Sequence, residues 1–104
     1  MAEWVDVAPA GELQAGQRKV VYSEAGPIAV FNLAGELFAI EDLCTHDGGE
    51  LASGALDGDQ IICPRHGSRF CIRTGRVLSP PAYEDIETFP IRIENETVQV
   101  DIDA

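Results

Sequence analysis

Two short stretches limit what this chain can fold into more than anything else in it. CTHDGG, Cys44 to Gly49, sets a cysteine and a histidine one residue apart, and CPRHGSRF, from Cys63, sets a second pair two residues apart. The chain has three cysteines and two histidines, and four of those five residues lie in these stretches. Two thiols and two imidazoles make a four-ligand set only if the fold brings both stretches together.

The flanking sequence reads as short strands between turn residues, which predicts an all-β domain. Lys19 to Tyr22 and Pro27 to Phe31 are rich in β-branched and aromatic residues, and Leu33-Ala34-Gly35-Glu36 turns the chain into Leu37 to Ile40. Asp57-Gly58-Asp59 precedes a strand at Gln60 to Ile62, and Thr74-Gly75 precedes another at Arg76 to Leu78. Ile91, Ile93, Val98, Val100 and Ile102 alternate, and should point inward on two strands joined through Glu94 to Thr97. Only Ala8 to Leu13 suits a turn of helix. Both Cys/His stretches therefore fall in loops. Trp4 and Cys71 are expected in the core.

At 104 residues the chain makes one domain, residues 1–104. Seven Lys and Arg against 18 Asp and Glu give a formal charge of -11, a field that repels nucleic acid and anionic membrane and favours a basic partner. The start, MAEWVDVAPAGEL, has neither the basic region nor the apolar region of a signal peptide. The apolar runs Ile28 to Phe31 and Leu37 to Ile40 are strand-length, so no membrane span is expected. Three cysteines, two of them in ligand-like motifs, suit a reducing compartment and a cytoplasmic location better than a disulfide scaffold.

Three chemistries fit the Cys/His pairs. A Cys2His2 zinc site would make a zinc-stabilised interaction module, although zinc fingers run Cys, Cys, His, His with a helix presenting the histidines. A nucleophilic dyad of Cys63 with His46 or His66 leaves the other pair unexplained and has no third group to orient the base. An iron–sulfur cluster with two histidines in place of two cysteines uses all four residues.

Here the sequence resembles a known family. Cys44-Thr45-His46 and Cys63-Pro64-Arg65-His66-Gly67-Ser68 are similar to the signature of Rieske [2Fe–2S] proteins, and the likeness covers nearly the whole chain. FNLAGELFAIEDLCTH, GSRFCIRTGRVLSPP and FPIRIENETVQVDI resemble the small Rieske ferredoxins of bacterial ring-hydroxylating dioxygenases. The resemblance implies an antiparallel β-sandwich with a smaller cluster-binding subdomain at about residues 43–82. It implies one [2Fe–2S] cluster, with Cys44 and Cys63 on one iron, His46 and His66 on the other, and Ser68 presenting a hydroxyl to a sulfide. Neutral imidazoles leave the oxidised cluster uncharged overall, where four thiolates would leave it dianionic, so an added electron is easier to accept.

Respiratory members of the family brace the cluster with a disulfide; the corresponding positions here are Gly49 and Arg65, so no disulfide is expected. Phe70 stands where those proteins place a tyrosine hydroxyl. With that donor missing and the chain acidic, a low potential is expected. Pro80-Pro81 resembles a loop that covers the cluster. Gly48, Gly49 and Gly67 suit close backbone approach or plain turns, and Arg65, Arg69, Arg73 and Arg76 read as a solvated strand face or a docking surface. The resemblance implies a one-electron carrier, not an enzyme, between an NAD(P)H-dependent flavoprotein ferredoxin reductase and a terminal oxygenase. Related chains accompany iron–sulfur assembly or serve as nitrite reductase small subunits, and the two loops do not separate these.

Overall fold

The structure, a computed structural model, describes residues 2–103. Its strands are β1 (Trp4–Pro9), β2 (Arg18–Ser23), β3 (Gly26–Leu33), β4 (Glu36–Glu41), β5 (Leu56–Asp57), β6 (Gln60–Ile62), β7 (Arg69–Cys71), β8 (Thr88–Phe89), β9 (Ile91–Glu94) and β10 (Thr97–Asp101). A single 3₁₀ turn at Ala10–Glu12 falls where the sequence allowed one. All strand pairing is antiparallel, in three sheets ordered β1-β10-β9, β2-β3-β4-β8 and β5-β6-β7.

The run Ile28 to Leu33 does not alternate because β3 lies in a middle layer, buried from Ile28 onward. Ile28 and Val30 face one core with Val7, Val98 and Val100, between the β1-β10-β9 sheet and the β2-β3-β4-β8 sheet. Ala29, Phe31 and Leu33 face the other core, with Ile61, Phe70, Ile72 and the two cysteines Cys44 and Cys63. The side-chain period of two thus assigns successive residues of one strand to two cores. The small third sheet packs with the cysteine loops onto the outer face of the middle sheet.

Local rules account for the edges. Val7 and Ala8 are both buried because a bulge in β1, between Asp6 and Ala8, breaks the alternation. Asn95 and Glu96 at φ 50° and 64° make the tight turn between β9 and β10. Val98 and Val100 are fully buried as expected and Ile91 and Ile102 partly so, but Ile93 is 55% exposed. It sits on an edge strand, where only one neighbour contributes cover. Trp4 is half-buried rather than core, its ring lying 4.0 Å beneath the Arg92 guanidinium carbon. The expected strand at Arg76 to Leu78 reduces to one bridge, Val77 to Phe70.

Arg18 on β2 straps the middle sheet to the segment leading into the third. Its Nη1 donates to the carbonyls of Ala52 at 2.7 Å and Gly54 at 2.6 Å, and its guanidinium lies over the Phe31 ring. Charge-assisted bonds of this kind are among the stronger ones. Arg18→Met keeps the apolar stem and removes both, so stability should fall by about 1–3 kcal/mol. The denaturant midpoint of the cluster-loaded protein reads this directly, and an unchanged midpoint would show that the strap contributes nothing.

Candidate metal centre

The two Cys/His loops are built alike. In the first, the Cys44 N–H donates to Gly49 O at 2.7 Å and the Gly48 N–H donates back to Cys44 O at 2.8 Å. In the second, the Cys63 N–H donates to Ser68 O at 2.7 Å and the Gly67 N–H donates back to Cys63 O at 3.0 Å. Each cysteine is thus clasped by residues four and five positions on. The residue four on must bend left-handed, and Gly48 and Gly67 do so at φ 74° and 78°. These two glycines are turn glycines.

Neighbouring segments hold the loops in place. Asp42, at the end of β4 and buried, accepts the N–H groups of Leu51 and Ala52 on one oxygen, both at 2.8 Å. It thereby fixes where the chain returns after the first loop. Ser68 is fully buried, and its hydroxyl oxygen accepts the Ala82 N–H at 3.0 Å, leaving its own proton for another acceptor. Thr45 Oγ1 donates to Glu84 O at 2.7 Å. The stretch after Pro80-Pro81 is therefore pinned to both loops.

The donors separate by type. Cys44 and Cys63 are buried, while the His46 and His66 rings stand exposed, 5.0 Å apart between centroids and nearly perpendicular. Among the described residues, close donor groups bring together the two sulfurs with Asp47, or the two imidazoles with Asp47, within 4.8 Å, and no such group of three mixes thiol with imidazole. A tetrahedral zinc would hold all four donors about 3.3–3.8 Å from one another. This arrangement has a sulfur end and a nitrogen end instead. The residues present fit a two-metal cluster ligated differently at its two irons, and they fit a mononuclear zinc poorly. Burial pushes the Cys44 thiol up, so a metal entering here displaces a proton.

Asp47 lies between the two ends but is already engaged. Its Oδ2 accepts from Arg65 Nε at 2.6 Å and lies 3.4 Å from His66 Nδ1, and its Oδ1 accepts the Gly49 N–H at 2.8 Å. The Arg65 hydrogen bond, then that of Gly49, holds its carboxyl down at about 2, so it is a carboxylate throughout the neutral range.

Other expectations are met unevenly. All three cysteines are free, so there is no disulfide among them. Cys71 is only half-buried, at the end of β7, rather than core. Phe70 is fully buried beside Cys44 and Cys63 and brings no hydroxyl. Arg69 pairs with Asp57 at 2.8 Å, and Arg73 reaches Asp59 at 3.3 Å and covers Phe38, so these arginines do not form an unpaired basic patch. Arg65 belongs to neither expected class, because it reaches from one loop to the other. Asp42 went unrecognised; its only trace in the sequence is an acid placed directly after the apolar strand FAIE.

The fold and the two-ended donor set define the class: residues 3–90 match the Rieske [2Fe-2S] domain, and the chain belongs to that family. It is 45% identical over 91 residues to the biphenyl dioxygenase ferredoxin subunit of Pseudomonas sp. (strain KKS102), covering 86% of this chain and 84% of that one. It is 35% identical over 100 residues to the ferredoxin component of the naphthalene 1,2-dioxygenase system of Pseudomonas aeruginosa, covering 96% of each. A chain in the solved complex of reduced oxygenase and oxidized ferredoxin in carbazole 1,9a-dioxygenase superposes with a TM-score of 0.88 at 34% identity, over 94% of this chain and 92% of that one. These relatives are ferredoxins, and the fold is the all-β one their likeness implied.

The structure assigns Asp42 the anchoring of the first loop. Asp42→Ala leaves two N–H groups without their acceptor and should cost about 2–4 kcal/mol. Amide exchange at Leu51 and Ala52 should quicken with it. If exchange there stayed at the wild-type rate, the anchor would lie elsewhere.

Proposed function

We propose that this chain is a one-electron carrier whose [2Fe–2S] cluster is held by Cys44 and Cys63 at one iron and by His46 and His66 at the other. The observation that carries the reading is the split between a buried sulfur pair and an exposed imidazole pair. When bound, the cluster accepts and releases single electrons. The chain's residues supply the rest. The core around Cys44 and Cys63 (Phe31, Leu51, Ile61 and Phe70) keeps water from the sulfurs. The exposed rings of His46 and His66 give a partner close approach, which shortens the distance an electron must travel. Ser68, with its hydroxyl proton uncommitted to Ala82, is placed to donate toward the sulfur end.

The potential in this reading is low. Phe70 offers no donor to a ligand sulfur, and a net charge of -11 opposes an added electron. The proposed partners are an NAD(P)H-dependent flavoprotein ferredoxin reductase as donor and a terminal ring-hydroxylating oxygenase as acceptor, and the dioxygenase systems named for the relatives support this. Leu43, Leu78 and Tyr83 are exposed on segments that adjoin or cap the loops, and they offer apolar contact within an otherwise acidic surface. No helix of the described residues is long and apolar enough to cross a membrane. Three cysteines with no disulfide among them accord with a reducing, cytoplasmic setting.

Metal analysis tests the centre. Purified protein should contain about two irons and two acid-labile sulfides per chain and no stoichiometric zinc. His46→Ala and His66→Ala should each lose the cluster and with it much of the stability, because ligation and folding are coupled. Retention of an intact spectrum in both variants would refute the ligand set.

Partner assays test the role. NAD(P)H and a cognate reductase should reduce the cluster, and the reduced protein should then support an oxygenase. Rates should fall as ionic strength rises, since complementary charge steers the encounter. A reduced protein that passed electrons to no acceptor would end the carrier reading.

A further inference from the structure

Arg65 makes more contacts across the centre than any role read from the sequence requires. Its Nε donates to Asp47 Oδ2 at 2.6 Å, and its Nη2 donates to Glu50 O at 2.6 Å, both in the opposite loop region. Nη1 lies 3.7 Å from Glu50 Oε1, and that carboxylate is itself held by the Ser53 N–H and hydroxyl. The same Nη2 donates to Cys63 Sγ at 3.5 Å. One planar fork therefore grips the first loop with two edges and reaches a buried sulfur of its own.

Gly49 supplies the room for this. Its φ is not among the positive ones, so its backbone does not call for glycine. A Cβ there would run into the Arg65 guanidinium. Gly48 and Gly67 shape the turns; Gly49 leaves a space, and Arg65 fills it.

We propose that Arg65 is a positioning residue for the metal centre, which clasps the two ligand loops together and raises the centre's potential through its N–H to Cys63 Sγ. This rests on the assignment of Cys63 as a ligand. The physical reason for the second part is charge: a guanidinium beside a ligand thiolate stabilises the added negative charge of the reduced state more than the oxidised state. It offsets part of what the missing hydroxyl at Phe70 and the acidic surface impose. Lysine cannot replace it, since a point charge on a flexible stem cannot meet Asp47, Glu50 O and Cys63 Sγ together. A clasp made of charge-assisted bonds should also weaken with salt.

The test compares cluster-loaded wild type with Arg65→Gln, Arg65→Lys, Gly49→Ala and the double variant Gly49→Ala/Arg65→Gln. Two quantities are read: reduction potential by voltammetry, and the half-time of cluster loss to a chelator. Arg65→Gln should lower the potential and shorten the half-time several-fold. Arg65→Lys should recover part of the potential but not the half-time. Gly49→Ala displaces the guanidinium without changing the charge count, and only the flexible end of Arg65 has to yield, so the cluster should survive. Its potential should fall too, whereas the same change in the Arg65→Gln background should add little. Raising ionic strength should speed cluster loss in wild type and not in Arg65→Gln. An unchanged potential in Gly49→Ala or in Arg65→Gln with its spectrum intact overturns the proposal. Cys63→Ser separates the two ideas. If it loses or alters the cluster spectrum while Arg65→Gln leaves the potential unmoved, the ligand set stands and the Arg65 role fails. If Cys63→Ser leaves the spectrum untouched, the ligand set fails.

Discussion

Two loops, one ending at Gly49 and the other beginning at Cys63, must be held face to face with a sulfur from each buried between them, and the rest of the structure serves that constraint. A loop with a buried backbone has to satisfy its own N–H and C=O groups. Both loops do so with the same pair of hydrogen bonds around their cysteine, closed by a left-handed glycine. The middle sheet then provides a rigid floor, because β3 is covered on both faces and cannot shift toward either. Asp42, Ser68, Thr45 and Arg18 connect that floor and the capping segment to the loops, each through side-chain bonds to backbone groups far away in the sequence.

Charge is arranged with the same economy. The chain is strongly acidic, yet a guanidinium sits against the one buried sulfur it can reach, and Asp47 neutralises that guanidinium from the other side. The donor to the sulfur is therefore a cation whose charge is already partly matched, which suits a half-exposed site where a bare cation and a bare carboxylate would each be solvated and mobile. The outer imidazoles face solvent and the inner thiols face the core, so the donor set is polar on its outer side and apolar where water would interfere.

Several sequence expectations stand because the physics behind them is local. The hairpin from Pro27 through Ile40 follows from strand propensity and a short turn, and the turn at Asn95-Glu96 follows from the alternation on either side of it. The four candidate ligands were legible because soft donors are rare in the chain and cluster in two places. Ile93, Trp4 and Cys71 came out more exposed than their side chains suggested. Hydrophobicity says a residue prefers cover, but the neighbour that provides cover is set by sheet order, which no local pattern encodes. Arg65 read as one of four arginines on a polar surface for the same reason: its partners Asp47 and Glu50 lie 18 and 15 residues away.

The sequence by itself determined the all-β class, the strands β2, β3, β4, β6, β9 and β10 with the turns between β3 and β4 and between β9 and β10, and the identity of the thiols and imidazoles, since each of these depends on residue type and on spacing within a few positions. Tertiary structure alone decided that Arg65 spans the two loops, that its guanidinium fills the space beside Gly49, and that Asp42 holds the chain where it returns after the first loop. Those features are contacts between residues brought together only when the third sheet and both loops close onto the middle sheet. A linear pattern names the donors; the packing of three layers sets which atoms meet.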